Sequence, residues 1–371
     1  MRFVVMFLLC AGVAATADTF LIKSLDGGRT WSDIDPGPPH QILDWFQADS
    51  QTGTLYALTQ TGLADEWHLL VSSDGGQSWR ERQTFAPTIY WIAAAGPDSA
   101  GTLYFVYELW GCPEKTVVIA EITDDGTRME QYRAEGLAVI QDTTHIGFLT
   151  TIAADPVARG KLFSLVTKEL CCDDDIFAYF QNLWVSVDRG RTWGRIDPPV
   201  TAGCSYPEMR IDPSDASLYV LCGNELFKST DAGESWTRKP LPEGKRLWNL
   251  RTGPGAPAIL YASRQGGIWK SIDGAATWQR LGNVPQESDE RSLTPHPANA
   301  ALIFISARSG IMRSEDGGGT WASVTESALL GESPFGIVID PREPDTFYLT
   351  SRARQNLRLD QGHNSGQKPY R

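Results

Sequence analysis

The feature that most constrains this chain is an eight-residue pattern, S-x-D-x-G-x-[TS]-W, which it carries six times. Five full copies run Ser24 to Trp31, Ser72 to Trp79, Ser186 to Trp193, Ser229 to Trp236 and Ser314 to Trp321. A sixth, Ser271 to Trp278, has Ala275 where the others have Gly, and a worn copy without Trp sits at Thr123-Asp124-Asp125-Gly126. The pattern is that of a hairpin turn. The carboxylates of Asp26, Asp74, Asp188, Asp231, Asp273 and Asp316 are each placed to accept backbone N–H groups two or three residues on, closing an Asx-type turn. Gly two positions after Asp takes positive φ at no steric cost. Ser or Thr brackets the turn with a hydroxyl, and Trp is expected to drop into the core as the next strand begins.

The turns recur at strand-hairpin spacing. Asp188, Asp231, Asp273 and Asp316 are 43, 42 and 43 residues apart. Between them lie short apolar segments with turn residues at their ends: Met209 to Pro213, Ser217 to Val220, Glu225 to Lys228, then the turn, then Trp236 to Arg238. Four such strands in about 40–50 residues make one propeller blade. Full units run at 41–82, 88–133, 145–197, 206–239, 246–281 and 290–325, six in all. The N-terminus supplies only a third and fourth strand, Phe20 to Lys23 and Trp31 to Ile34. The C-terminus supplies only a first and second, Gly336 to Asp340 and Thr346 to Thr350. Joined, they make a seventh blade and hide both sheet edges. The expectation is therefore an all-β, seven-bladed propeller of four-stranded antiparallel blades, closed by terminal strands sharing one blade. Leu359-Asp360-Gln361-Gly362 is a competing, decayed turn; the intact N-terminal turn is preferred, leaving 353–371 as a polar tail.

These residues resemble the Asp-box, or BNR, repeat of sialidase-like, sortilin-like and photosystem-assembly-factor propellers. The resemblance covers nearly all of 18–352 and implies the fold; function by fold analogy is weak. Sialidases of this kind carry an F-R-I-P-like segment near the N-terminus, an arginine cluster and a Tyr–Glu pair, whereas the corresponding stretch here reads Thr19-Phe20-Leu21-Ile22-Lys23. The xyloglucan-cleaving members use a cleft between two propellers, and one is expected here. The resemblance therefore points to the single-propeller members that hold partners on one face.

Residues 1–17 read as a secretory signal, with Arg2, an apolar run from Phe3 to Leu9 and an A-x-A site at Ala15-Thr16-Ala17. Leu9 is bulky where a lipidated Cys10 would want a small neighbour. No other stretch approaches the ~18 apolar residues that span a bilayer, so a secreted or periplasmic monomer is expected. The net charge of −12 disfavours nucleic acid and anionic membranes as partners.

What varies between repeats is more informative about function. The connection from second to third strand lies on the face opposite the Asp turns. It is enlarged in three consecutive blades, at Thr61 to His68, Glu108 to Lys115 and Lys168 to Tyr179. These stretches are acidic and aromatic, and the candidate ligand-binding residues are Asp65, Glu66, Trp67, Glu108, Trp110, Glu114, Asp173, Asp174, Asp175 and Tyr179. Loops on a rigid scaffold are where binding usually sits, though the same residues also serve as a solvated rim. Asp173 to Asp175 lack the alternating spacing of a calcium loop, and the five His residues form no H-x-x-H. No G-x-S-x-G and no phosphate-cradling loop is present. No catalytic residue, metal site or cofactor is expected. The reading is an exported, non-catalytic binding or assembly module with a protein or glycan partner; the alternative is a glycoside hydrolase using a carboxylate pair on the loop face. Of the cysteines after residue 17, Cys204 and Cys222 flank one hairpin, while Cys112, Cys171 and Cys172 fall in neighbouring enlarged loops. Export favours disulfides, with Cys204–Cys222 expected and Cys112 joined to Cys171 or Cys172.

Overall fold

The computed structural model describes residues 19–34, 42–48, 52–60, 66–85, 89–95, 102–109, 116–123, 128–137, 145–170, 179–200, 204, 207–242, 247–264, 267–284, 293–307, 310–324, 334–340, 342–343 and 345–352. Blade 2 is β3 (Ile42–Ala48), β4 (Leu55–Gln60), β5 (Trp67–Ser72) and β6 (Arg80–Phe85). Blade 3 is β7 (Ile89–Ala95), β8 (Leu103–Leu109), β9 (Thr116–Thr123) and β10 (Arg128–Arg133). Blade 4 is β11 (His145–Ala154), β12 (Leu162–Leu170), β13 (Tyr179–Ser186) and β14 (Gly194–Arg195). Blade 5 is β15 (Glu208–Ile211), β16 (Leu218–Cys222), β17 (Glu225–Ser229) and β18 (Thr237–Lys239). Blade 6 is β19 (Trp248–Gly253), β20 (Ile259–Arg264), β21 (Gly267–Ser271) and β22 (Gln279–Arg280). Blade 7 is β23 (Thr294–Pro295), β24 (Ile303–Ala307), β25 (Gly310–Ser314) and β26 (Ala322–Ser323).

Blade 1 closes the ring. Its strands run β2 (Ser32–Ile34), β1 (Thr19–Ser24), β28 (Phe347–Arg352) and β27 (Pro334–Ile339) in spatial order. β1 pairs antiparallel with β28 from Thr19↔Arg352 to Ser24↔Phe347, so the two chain ends share one sheet as expected. The stretch around Asp360 lies outside the described residues. First strands of neighbouring blades, such as β15 and β19 or β7 and β11, pack against each other around the common axis.

Burial explains the architecture. Second strands such as β16 (LYVLC) are buried along their whole length, because a blade is covered on both faces by its neighbours. Each junction between blades then holds one apolar cluster: Phe105 packs with Tyr56 and Leu69 between blades 2 and 3, and Phe304 with Phe347 between blades 7 and 1. Fourth strands such as β10 (RMEQYR) face solvent and read as polar.

The Asp turns have one geometry throughout. The Ser Oγ accepts the N–H of the residue two after Asp at 2.7–2.9 Å, in all six copies. The Asp Oδ1 accepts the N–H four residues on at 2.8–2.9 Å. Its Oδ2 accepts the Thr or Ser hydroxyl of that same residue at 2.5–2.7 Å. The carboxylate thus reaches three and four residues on rather than two or three, because two successive residues take positive φ and fold the loop back on itself. After Asp231, for example, Ala232 lies at φ 61° and Gly233 at φ 93°. Ala275 adopts φ 66°, against 87–101° for Gly at the equivalent position, as a Cβ demands. The hydroxyl and then the amide of Ser78, Ser235 and Thr277 hold Asp74, Asp231 and Asp273 down to a pKa of about 2.

Trp departs from expectation. Only Trp193 is buried, at 8% exposure, and the other five turn Trp residues are half-buried. They lie over the turn, with the indole N–H of Trp31, Trp79 and Trp193 donated to the carbonyl of the turn Gly at 2.8–3.1 Å.

The residue after Asp also ties blades together through its carbonyl. Lys23 Nζ on blade 1 donates to Gly75 O on blade 2 at 3.1 Å, and Lys270 on blade 6 to Gly317 O on blade 7 at 3.4 Å. Arg313 on blade 7 donates to Gly27 O on blade 1 at 2.9 Å, across the closing seam. At the junction of blades 3 and 4 a different side chain does this: the Tyr132 hydroxyl donates to Arg189 O, while the Arg189 guanidinium pairs with buried Glu121 at 2.7 Å.

Candidate functional site

The Asp turns join third to fourth strands, so the second-to-third connections emerge on the opposite face. From the strand ends, these connections span 61–66, 110–115 and 171–178 in blades 2, 3 and 4. In blades 5, 6 and 7 they are two residues each, 223–224, 265–266 and 308–309. The enlarged sector expected from sequence is therefore present as strand spacing.

The sector is built by lengthening strands as well as loops. β12 and β13 have 9 and 8 residues, whereas β16 and β17 have 5 each. Four candidate residues fall on or beside strands. Glu66 is half-buried just before β5. Trp67 opens β5 opposite Gln60 and Phe85, and packs partly buried on the cluster between blades 2 and 3. Trp67 is thus a wall of the sector rather than a loop-tip aromatic. Glu108 lies in β8 and Tyr179 opens β13. His68 beside Trp67 is buried, with its Nδ1 3.4 Å from both Thr84 Oγ1 and Glu81 Oε1. Asp65, Trp110, Glu114, Asp173, Asp174 and Asp175 lie outside the described residues, as do Cys112, Cys171 and Cys172.

The Cys204–Cys222 disulfide is present, with Cα atoms 5.5 Å apart. It fastens the connection entering blade 5 to the end of β16, on the loop-bearing face.

On this same face the inner strands are kinked. Register breaks occur at Leu43/Trp45, Ile89/Trp91, Leu149/Thr151, Trp248/Arg251 and Pro334/Gly336, each in a first strand. An extra residue on one strand bends it and re-aims the side chains beyond it, which is common beside functional sites. In β19 the bulge is held by Glu208 of β15: its carboxylate accepts the N–H of Asn249 and, at 3.0 Å, that of Leu250. Asn249 sits at φ 58° there.

Just below this bulge lies a feature that sequence reading missed. Each second strand places a buried Tyr or Phe opposite one residue of its first strand, which fixes one level of the inner wall. In blades 2, 3, 4, 7 and 1 that residue is Gln47, Ala95, Ala153, Thr294 and Val338. In blades 5 and 6 it is arginine: Arg210 opposite Tyr219 and Arg251 opposite Tyr261. Both are half-buried. Arg210 donates through Nη1 to Met209 O at 2.6 Å, and Arg251 through Nη1 to Leu250 O at 3.1 Å. Arg210 Nη2 also meets Glu208 Oε2 at 3.4 Å. Burial and then the charge of Arg210 pull the Arg251 pKa down to about 10, against the attraction of Glu208. The signal available in sequence was register: each arginine is matched, across its hairpin, to the Tyr of an L-Y or I-L-Y strand.

Among the described residues, no group of three or more His, Cys, Asp or Glu could hold a metal, and no helix is long and apolar enough to cross a membrane.

No protein-family model matches the chain. In an alignment of 181 residues it is 25% identical to the xyloglucanase Xgh74A of Acetivibrio thermocellus; the match covers 39% of this chain and 20% of the enzyme, so the chain spans about a fifth of this curated relative. Among solved structures, a GH74 enzyme of Niastella koreensis superposes with a TM-score of 0.56 at 16% identity, over 90% of this chain and 53% of that one. YCF48 bound to D1 peptide superposes with a TM-score of 0.54 at 15% identity, over 84% of this chain and 94% of that one. At these identities the likeness is one of fold: a glycoside hydrolase and a propeller seen bound to a peptide share the β-propeller architecture.

Proposed function

We propose that the chain is an exported, non-catalytic binding or assembly module of Asp-box type, spanning 18–352 after removal of 1–17. It presents the sector of blades 2 to 4 to a protein or glycan partner. The observation that carries this reading is the asymmetry of the loop-bearing face: one scaffold repeated around the ring, with second-to-third connections of six to eight residues in three neighbouring blades against two residues in blades 5 to 7. The turn shared by six of the seven blades on one face serves the fold, and variation concentrated in one sector of the other serves recognition. The exported setting is supported by the Cys204–Cys222 disulfide, which suits an oxidising compartment. A protein partner is supported by the peptide seen on a propeller of the same size.

The alternative, a glycoside hydrolase, requires two carboxylates about 5–10 Å apart, one of them free to exchange a proton. Glu208, the described carboxylate on the inner wall of blade 5, is already committed to two backbone amides and Arg210. Binding is therefore the reading favoured.

The test replaces Trp110 with Ala and Asp173 to Asp175 with Asn in one variant. Wild type and variant are compared on a glycan array and in pull-downs from the envelope of the exporting cell. A ligand captured by wild type and lost by an equally stable variant is the expected result. Retention of binding by this variant, with loss on altering the Asp-turn face, would put the site on the other side.

A further inference from the structure

We propose that the cleft at the closing seam, where blade 7 meets blade 1 on the Asp-turn face, binds a pyranose ring of a neutral glycan. This goes beyond the loop-sector reading, lies on the opposite face and stands or falls independently of it.

The cleft has a volume of about 490 Å³, within the roughly 300–1,000 Å³ of small-ligand sites. Trp321 and the start of β26 in blade 7 form one wall, and Arg29 in the turn of blade 1 forms the other. Small side chains keep it open. At the junction of blades 3 and 4 the same turn position holds Arg191, whose guanidinium lies 4.3 Å from the centre of the Tyr132 ring and 3.1 Å from Glu130. Both of those partners come from β10, the fourth strand of the preceding blade. At the seam the fourth strand offers Ala322 and Ser323 instead. Arg29 donates through Nη1 to Asp26 O at 3.0 Å, inside its own turn, and meets no partner in blade 7 among the described residues.

A neighbouring cleft, between blades 1 and 2, shows what the fold makes by itself. It has a volume of about 380 Å³, and Gln77, Lys23 and Leu25 stand where the seam has Arg29, Arg313 and Glu315. Trp31 is no part of its wall, its N–H being held by Gly28 O at 3.0 Å. At the seam Trp321 is part of the wall, and its indole N–H is buried without an acceptor among the described residues, as is Nε of Arg313. Glu315 is 68% exposed at its side chain, and its Oε1 meets Arg313 at 2.7 Å, which leaves Oε2 for the cleft. The seam thus differs from its neighbour by an indole, a guanidinium fork and a carboxylate oxygen on one concave surface.

These three groups match one ligand chemistry. One face of a pyranose carries C–H groups and packs on an indole, while each of its hydroxyls both donates and accepts. The Arg29 fork can donate to two adjacent hydroxyls, and Glu315 can accept from another. A simple anion would satisfy Arg29 but oppose Glu315, and an apolar ring would leave both charges desolvated and unpaired.

The experiment titrates the full chain separately with the methyl glycosides of glucose, galactose, mannose and xylose. Sodium sulfate and cyclohexanol are the anion and apolar-ring controls. Indole N–H signals are followed by NMR, with Trp321 assigned by W321F. A saturable shift at Trp321 with at least one glycoside, and with neither control, is expected. A322F fills the cleft from an exposed position and should abolish the response. R29Q and E315L give the cleft the lining of its neighbour and should each weaken the response by about tenfold or more, with circular dichroism unchanged. Should E315L disturb the seam through Arg313, R29Q and A322F still decide. The variant altered at Trp110 and Asp173 to Asp175 should respond as wild type does, so failure of the loop-sector reading and failure of this one are separate results. No saturable shift with any glycoside, an equal shift with sulfate or cyclohexanol, or undiminished binding by folded A322F overturns the proposal.

Discussion

Blades 2 and 4 share one plan with blades 5 to 7 at the Asp-turn end, whereas blades 2 to 4 and blades 5 to 7 follow two plans at the other. At the Asp-turn end, Ser186 in blade 4 and Ser229 in blade 5 each accept a buried N–H, from Gly190 at 2.8 Å and Gly233 at 2.7 Å. At the opposite end, β12 and β13 run on past the length of β16 and β17 and are joined by eight residues instead of two. The difference teaches where the fold is specified. The turn and the junction clusters fix register and ring closure, so residues beyond them are free to diverge without endangering the ring.

The largest effects should therefore be equal in the two sectors. Phe105 in blade 3 and Phe304 in blade 7 are 0% and 1% exposed, and each fills a junction between blades, 2 and 3 for the first and 7 and 1 for the second. Phe105→Ala and Phe304→Ala should each lower unfolding stability by about 3–5 kcal/mol, the usual loss for a buried aromatic. Urea denaturation would measure this. A loss confined to one of the two would mean that the sectors unfold separately and are not one scaffold.

Next in size are the turns. Ser186→Ala and Ser229→Ala each leave a buried amide unpaired and should each cost about 1–3 kcal/mol. Thermal melts that moved for one and not for the other would break the claim of a common turn.

Acid should act on both sectors together. Asp74 in blade 2, and Asp231 and Asp273 in blades 5 and 6, have folded pKa values near 2, below the unfolded value of about 3.9. A depressed carboxylate contributes stability that is complete above the unfolded pKa and is lost as pH falls through the folded one. Stability should thus be flat above pH of about 5 and fall between about 4 and 2. A decline already complete by pH of about 5 would show that other groups, not the turn carboxylates, govern acid unfolding.

Much of this was legible in the sequence because the turn pattern is local. Ser, Asp, Gly and Thr of one turn bond to each other, so their spacing alone announces the hairpin. Counting turns then gave the blades and the shared closing blade. Cys204 and Cys222 were legible for the same reason, lying on either side of one hairpin. What was not legible depends on neighbours distant in the chain. Arg313 precedes its turn as Lys23 does, yet its partner is Gly27, at the other end of the sequence. Tyr132 meets Arg189 from a strand of a different blade. The start of β5 at Trp67 carries no mark in the sequence, because Ala64-Asp65-Glu66 offers no Gly or Pro. Arg210 and Arg251 form a pair only once two registers, 41 residues apart, are laid side by side.

The smallest expected effect on stability sharpens the comparison most. Replacing 171–178 by a two-residue hairpin like Gly223-Asn224 would give blade 4 the short connection of blade 5. Loop closure varies slowly with length, so stability should change by about 1 kcal/mol or less, with the shorter loop favoured. Among the described residues, the junction clusters on the two sides of blade 4 are built from Phe163, Leu165, Leu183 and their neighbours. Binding, by contrast, should be lost if the loop serves recognition. The pair of readouts separates the two ends of the blade. A large fall in the melting temperature would mean that the long connection is part of the scaffold, and the division between a uniform turn end and a variable loop end would be wrong.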